Sequence, residues 1–166
     1  MPVIHLETCI AGPPALCFDL SRSIDLHTIS TEHTGEKAIA GVTTGLIGLG
    51  QTVTWRAKHF GVWQTLTSKI TAFEPPFYFE DEMVQGAFKS FRHEHHFVPQ
   101  QENTLMRDVF HFTSPLGILG ELANRLVLTN YMTDLLKERN RVIKEYAESG
   151  QGALLLQQNA LTQNKS

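Results

Sequence analysis

Between Val3 and Ile10 the chain alternates, with Val3, His5, Glu7 and Cys9 on one side and Ile4, Leu6, Thr8 and Ile10 on the other. That period of two predicts a strand with one buried face. Ala11-Gly12-Pro13-Pro14 turns the chain, and Pro14 suits the first turn of a short helix carrying Ala15, Leu16, Phe18 and Leu20. Ser21 and Ser23 are candidate caps for a second short helix over 24–33. A brief strand is expected between Glu36 and Gln51, in a stretch whose Gly41, Gly45, Gly48 and Gly50 predict an irregular, mobile connection. These glycines are not a dinucleotide fingerprint: their spacing is wrong, and the residues after them read as a strand where that motif needs a helix.

From residue 51 to 113 the pattern is a run of antiparallel strands, over 52–60, 62–73, 77–85, 89–98 and 104–113, joined by short turns. Nine of the ten phenylalanines fall between residues 60 and 112, which lines the concave face with rings. From Leu116 the spacing becomes helical through Leu119, Leu122, Leu126, Met132, Leu136, Ile143 and Tyr146. About thirty residues make a helix roughly 45 Å long, enough to cross a whole sheet. Gly150 and Gly152 end it, and 149–166 read as a flexible polar tail after a single domain over 1–148.

The sum is an α+β protein: a strongly curved antiparallel sheet of six to seven strands wrapped around a long C-terminal helix, with two short helices after the first strand. One helix about 10 Å across does not fill the concavity of such a sheet, so side chains or a ligand must.

Composition narrows the function classes. The chain has 166 residues, 42% of them hydrophobic, and a formal charge of −3 from 14 basic and 17 acidic side chains. Its mean hydropathy is −0.15. Nothing in that balance favours nucleic acid or an anionic membrane surface, and no apolar run is long enough for stable membrane insertion. The N-terminal residues show no secretory signal, so a cytoplasmic location is expected. Cys9 and Cys17 match no zinc or redox spacing and read as small buried residues in a reducing compartment.

Strand alternation also selects candidate site residues. In 89–98, Phe91, His93, His95 and Phe97 share one face, leaving Arg92, Glu94 and His96 in solvent. In 104–113, Met106, Asp108, Phe110 and Phe112 share the inward face, and a reversal near residues 100 and 101 puts Asp108 across from His93. Phe77, Phe79, Asp81 and Met83 form another inward set, with Glu80 and Glu82 outward near Arg56 or Lys58; Trp55 and His59 form a third. The inward polar set is therefore His59, Asp81, His93, His95 and Asp108. Asp-to-His contacts satisfy such a network, and one imidazole is free to orient a guest.

Val53-Thr54-Trp55-Arg56 through His59-Phe60-Gly61, Phe73-Glu74-Pro75-Pro76, Gly86-Ala87-Phe88, His93-Glu94-His95, Asp108 and Ser114-Pro115-Leu116-Gly117 carry a resemblance. Together they resemble the START/SRPBCC superfamily, the helix-grip fold of pollen-allergen-like proteins, over residues 2 to about 147. Within it, the chain is similar to the bacterial ligand-binding and polyketide cyclase/dehydrase-like branch. The resemblance implies a pocket between sheet and C-terminal helix for a small hydrophobic molecule, and it fixes no substrate.

The expected ligand-binding residues are Trp55, His59, Phe79, Asp81, Phe91, His93, His95, Asp108, Phe110, Leu122, Leu126 and Asn130. No cofactor and no metal are expected, because Glu94 and His96 point away from His93 and His95. A non-catalytic binding protein is the leading expectation. One alternative is a cyclase, dehydratase or hydrolase with His93, His95 and Asp108 as acid/base candidates. Another is a protein–protein interaction module using a sheet edge or the glycine-rich segment 41–50. The helix charges at Lys137, Glu138, Arg139, Arg141, Lys144 and Glu145 read as a solvated face.

Overall fold

A computed structural model describes residues 2–114 and 121–163, apart from the side chains of 121–125 and 163. The chain runs β1 (Val3–Ile10), α1 (Pro14–Ser21), α2 (Ile24–Ser30), a 3-10 turn (Glu32–Thr34) and β2 (Lys37–Gly41). A five-strand meander follows: β3 (Thr52–His59), β4 (Val62–Glu74), β5 (Tyr78–Gln85), β6 (Ser90–Gln100) and β7 (Asn103–Thr113). Then come α3 (Glu121–Ser149) and α4 (Gln151–Gln163). Among the described residues the strands form one antiparallel sheet of seven, in the order β1-β7-β6-β5-β4-β3-β2. No described helix is long and apolar enough to cross a membrane.

The meander arises from strands linked by tight turns. Phe60 and Gly61 both take positive φ (50° and 77°), giving a two-residue hairpin whose twist matches that of its strands. Register slips between Thr67 and Ser68, between Ile70 and Ala72, and between Ala38 and Ala40 bend the sheet on the side of β2 to β5. The curved sheet grips α3, and α1 and α2 pack against α3 beside it.

The apolar core is divided in two. Phe18 of α1 meets the edges of Phe73, Phe79 and Phe97 in one cluster, with Val142 and Ile143 of α3. Phe91, Phe110 and Phe112 pack with Ile4 and Leu136 in the other. Sequence order on three elements explains the division. His93 and His95 lie between Phe91 and Phe97 on β6, Asp108 between Met106 and Phe110 on β7, and Arg139 and Asn140 between Leu136 and Val142 on α3. A polar layer thus separates two apolar ones.

Several expectations change. The second helix stops at Ser30, capped at its start by Ser23, whose side chain accepts from the Leu26 amide. The glycine-rich segment is pinned rather than free: Gly45 N–H donates to Asp25, Ile47 N–H donates to Arg22 O, and Ile47 is buried. Glu80 is not an outward partner of Arg56 or Lys58. It is buried on the other face of the sheet, where Thr71, Tyr78 and Arg92 donate to it. Phe77 precedes β5 and is exposed, and of the two cysteines expected to be buried only Cys17 is, Cys9 being exposed on edge strand β1. The helical start expected at Leu116 and Leu119 lies outside the described residues.

The predicted polar tail over 149–166 is instead helical through Gln163, because Leu155 and Leu156 find an apolar partner surface in the core cluster around α1. Gly150, at φ 79°, ends α3 in the left-handed conformation. A Cβ on Gly152 would lie 2.7 Å from Leu20 Cδ1 and 2.9 Å from the Tyr146 carbonyl oxygen. Gly152→Ala is therefore expected to push α4 away from α1 at about 1–3 kcal/mol, several degrees in thermal midpoint. An unchanged midpoint by differential scanning calorimetry would show that α4 contributes nothing to the fold.

Candidate functional site

The polar layer is built around Asp108, which is 1% exposed. The antiparallel register sets His95 opposite Asp108 and His93 opposite Phe110. The expected pairing of Asp108 with His93 is thus displaced by two residues on β6, because the strands continue to Gln100 and Asn103 and reverse one position later, with Gln101 at φ 55°. The Asp108 carboxylate nevertheless reaches both imidazoles. His93 Nε2 and His95 Nδ1 each donate to Asp108 Oδ1 at 3.0 Å. From α3, Asn140 Nδ2 donates to Oδ2 at 2.7 Å and Arg139 Nη1 lies 3.5 Å from Oδ1. Arg139 also donates to Ser21 O and to Asn140 Oδ1. On the other side of the imidazoles, Asp81 Oδ1 lies 3.0 Å from His95 Nε2 and 4.0 Å from His93 Nδ1.

Burial alone would raise the Asp108 carboxyl, but the hydrogen bonds from His93 and His95, with the Arg139 charge, outweigh it and hold Asp108 well below the usual carboxylate range. Asp81 is lowered in the same way by its histidine neighbours against burial. Burial, reinforced by the adjacent His95, pushes His93 down to about 4, so its ring is neutral at physiological pH.

Between the sheet and α3 lies a space of about 520 Å³. Val53, Trp55, Ala57, Ile70, Phe79, Phe91 and Phe110 line its sheet side, and Leu128, Met132 and Leu136 its helix side. Asp81, His93, His95 and Arg139 give it one polar wall. His27, His59 and Tyr131 add further polar atoms. At one end the β3–β4 turn is tied to α3, where His59 Nδ1 and Tyr131 Oη are 2.7 Å apart and Phe60 packs on the Tyr131 ring. Desolvation lowers His59 and raises Tyr131.

Of the expected lining residues, Trp55, His59, Phe79, Asp81, Phe91, His93, His95 and Phe110 border this space. Asp108 stands behind the histidines rather than at the surface of the space. Leu126 is 65% exposed, and Asn130 is exposed as well, because α3 turns Leu128, Tyr131, Met132, Leu135 and Leu136 to the sheet instead. The Leu122 side chain lies outside those described. Arg139 corrects the reading of a solvated charge run: it is 6% exposed. Residues 132, 136, 139, 140 and 143 share a helical stripe, and that spacing is the signal that marks Arg139 and Asn140 as inward. His27 and Glu36, 2.6 Å apart, were also missed. Their contact joins α2 to the loop before β2, and no local pattern announces it.

No protein-family model and no curated protein sequence matches the chain. Solved structures do. The chain is similar to TTHA0849 from Thermus thermophilus, with a TM-score of 0.68 and 17% identity over 86% of this chain and 97% of that one. It is similar to ginseng major latex-like protein 151 from Panax ginseng at 0.63 and 17%, over 88% and 97%. The di-domain ARO/CYC StfQ from the steffimycin biosynthetic pathway aligns at 0.69 and 18%, over 90% of this chain and 52% of that one. The fold is the α+β helix-grip fold.

Proposed function

We propose that the protein binds a small hydrophobic molecule between the curved sheet and α3. The observation that carries this reading is a space of about 520 Å³ with mostly apolar walls, bordered on one side by His93, His95 and Asp81. That volume lies within the range of small-molecule sites, and a few convergent polar groups in an apolar enclosure suit orientation of a guest. The guest is an apolar body with one hydrogen-bonding end, a carbonyl or hydroxyl, directed at the imidazoles. Latex-like and aromatase/cyclase neighbours on the same fold are consistent with that class of ligand, which the fold alone does not select.

Native mass spectrometry of freshly purified protein is expected to reveal extra mass that disappears on denaturation. Protein freed of it is expected to take up an apolar fluorophore such as anilinonaphthalene sulfonate in a saturable one-to-one manner. Absence of both would overturn the proposal.

A second reading is acid–base chemistry of cyclase or dehydratase type. It is favoured by one observation: Asp108 orients both imidazoles from behind while they face the space. Unchanged turnover of an identified substrate after replacing both His93 and His95 would dispose of it.

A further inference from the structure

We propose that His93, His95 and Asp81 form a binding site for a divalent transition-metal ion, with Asp108 as the carboxylate that orients both histidine ligands. The proposal does not depend on a hydrophobic guest. Among the described residues these three offer ligand atoms that all lie within 4.8 Å of one another.

Asp108, as a carboxylate, only accepts, so His93 Nε2 and His95 Nδ1 must carry the hydrogens they share with it. Of the other two nitrogens, His95 Nε2 is hydrogen-bonded to Asp81 Oδ1 at 3.0 Å and His93 Nδ1 lies 4.0 Å from the same oxygen. Two imidazole nitrogens and a carboxylate thus converge on one region, and an ion bound there takes the place of the proton shared by His95 Nε2 and Asp81.

Imidazole ligands that donate their second N–H to a buried carboxylate are the usual outer shell of a metal site, fixing tautomer and ring orientation. Here one carboxylate serves both rings, and Asn140 and Arg139 hold it in turn. Ligand atoms about 2.1 Å from an ion stand roughly 3.0–3.5 Å apart, so His95 and Asp81 already have the spacing and His93 closes in by about 1–1.5 Å. The Arg139 guanidinium contacts Asp108 directly, 3.5 Å from Oδ1, and its charge acts on Asp81 as well.

Two imidazoles and one carboxylate suit Zn²⁺, Fe²⁺ or Co²⁺ rather than Mg²⁺ or Ca²⁺. All three ligand residues border the space between sheet and α3, so the remaining coordination positions open toward it.

The test uses the full chain without an affinity tag, stripped with chelator and titrated with Zn²⁺ by calorimetry and with Co²⁺ by visible absorption. One ion per chain is expected, with ligand-field bands for Co²⁺. Zn²⁺ is expected to shift the ¹⁵N resonances of His93 Nδ1 and His95 Nε2 while the nitrogens facing Asp108 stay protonated. Asp81→Asn is expected to abolish stoichiometric binding, and Asp108→Asn to weaken it roughly 10- to 100-fold. No one-to-one binding by the wild-type chain, or no change in those two resonances on adding Zn²⁺, overturns the proposal even if a variant fails to fold.

Discussion

Asp108→Ala is expected to destabilise the protein by about 3–5 kcal/mol, measured as the shift in urea midpoint at constant slope. The side chain is small, and its loss leaves little cavity. The cost comes instead from its partners: a guanidinium that is 6% exposed loses its anion, and His93, His95 and Asn140 each lose an acceptor in a layer closed off from solvent by apolar clusters above and below. The counter-experiment is Arg139→Met added to Asp108→Ala. Removing the stranded charge together with its partner is expected to recover part of the loss, since a buried pair is costly chiefly when half of it remains. A stability within about 1 kcal/mol of wild type for Asp108→Ala would mean that the layer is not organised by this carboxylate.

Ala57→Phe is expected to abolish uptake of an apolar probe while leaving stability within about 1 kcal/mol of wild type. Ala57 is buried, lies on β3 between Trp55 and His59, and borders the space beneath α3. In a close-packed interior the added ring would force strain costing about 1–3 kcal/mol. Where about 520 Å³ stands open, the ring finds room and occupies the volume a guest requires. Thermal denaturation and fluorophore titration of the same sample separate the two cases. A destabilised variant with unaltered probe binding would mean that the space lies elsewhere.

The two outcomes probe different levels of the design. The aromatic lining of the sheet was readable from alternation, since Trp55, Phe79, Phe91 and Phe110 sit at inward positions of their strands. The inward placement of Asp81, His93, His95 and Asp108 was readable for the same reason. Their mutual distances were not: a one-residue displacement of the β6–β7 reversal changes which residue faces Asp108, and only Gln101 in the left-handed region decides that position.

Helix α3 marks the boundary more sharply. Its length and stripe follow from spacing, yet charge argued for solvent at Arg139, and leucine argued for burial at Leu126, and both positions are reversed. Arg139 is tolerated inside because Asp108, from β7, and Ser21 O, at the end of α1, are there to meet it. Leu155 and Leu156, read as part of a polar tail, become anchors because the α1 cluster leaves an apolar surface for them.

Element order, strand faces and fold type were thus determined by the sequence itself, because each depends on periodicities of two or about 3.6 residues along one segment. The buried charge layer, the true lining of α3 and the docking of α4 were decided by tertiary structure alone. Each needs contacts between elements that share no local pattern: Arg139 meets Asp108 across 31 residues of chain and Ser21 across 118, and Asn159 meets Asp25 across 134. Such contacts exist only once the sheet has closed on the helix.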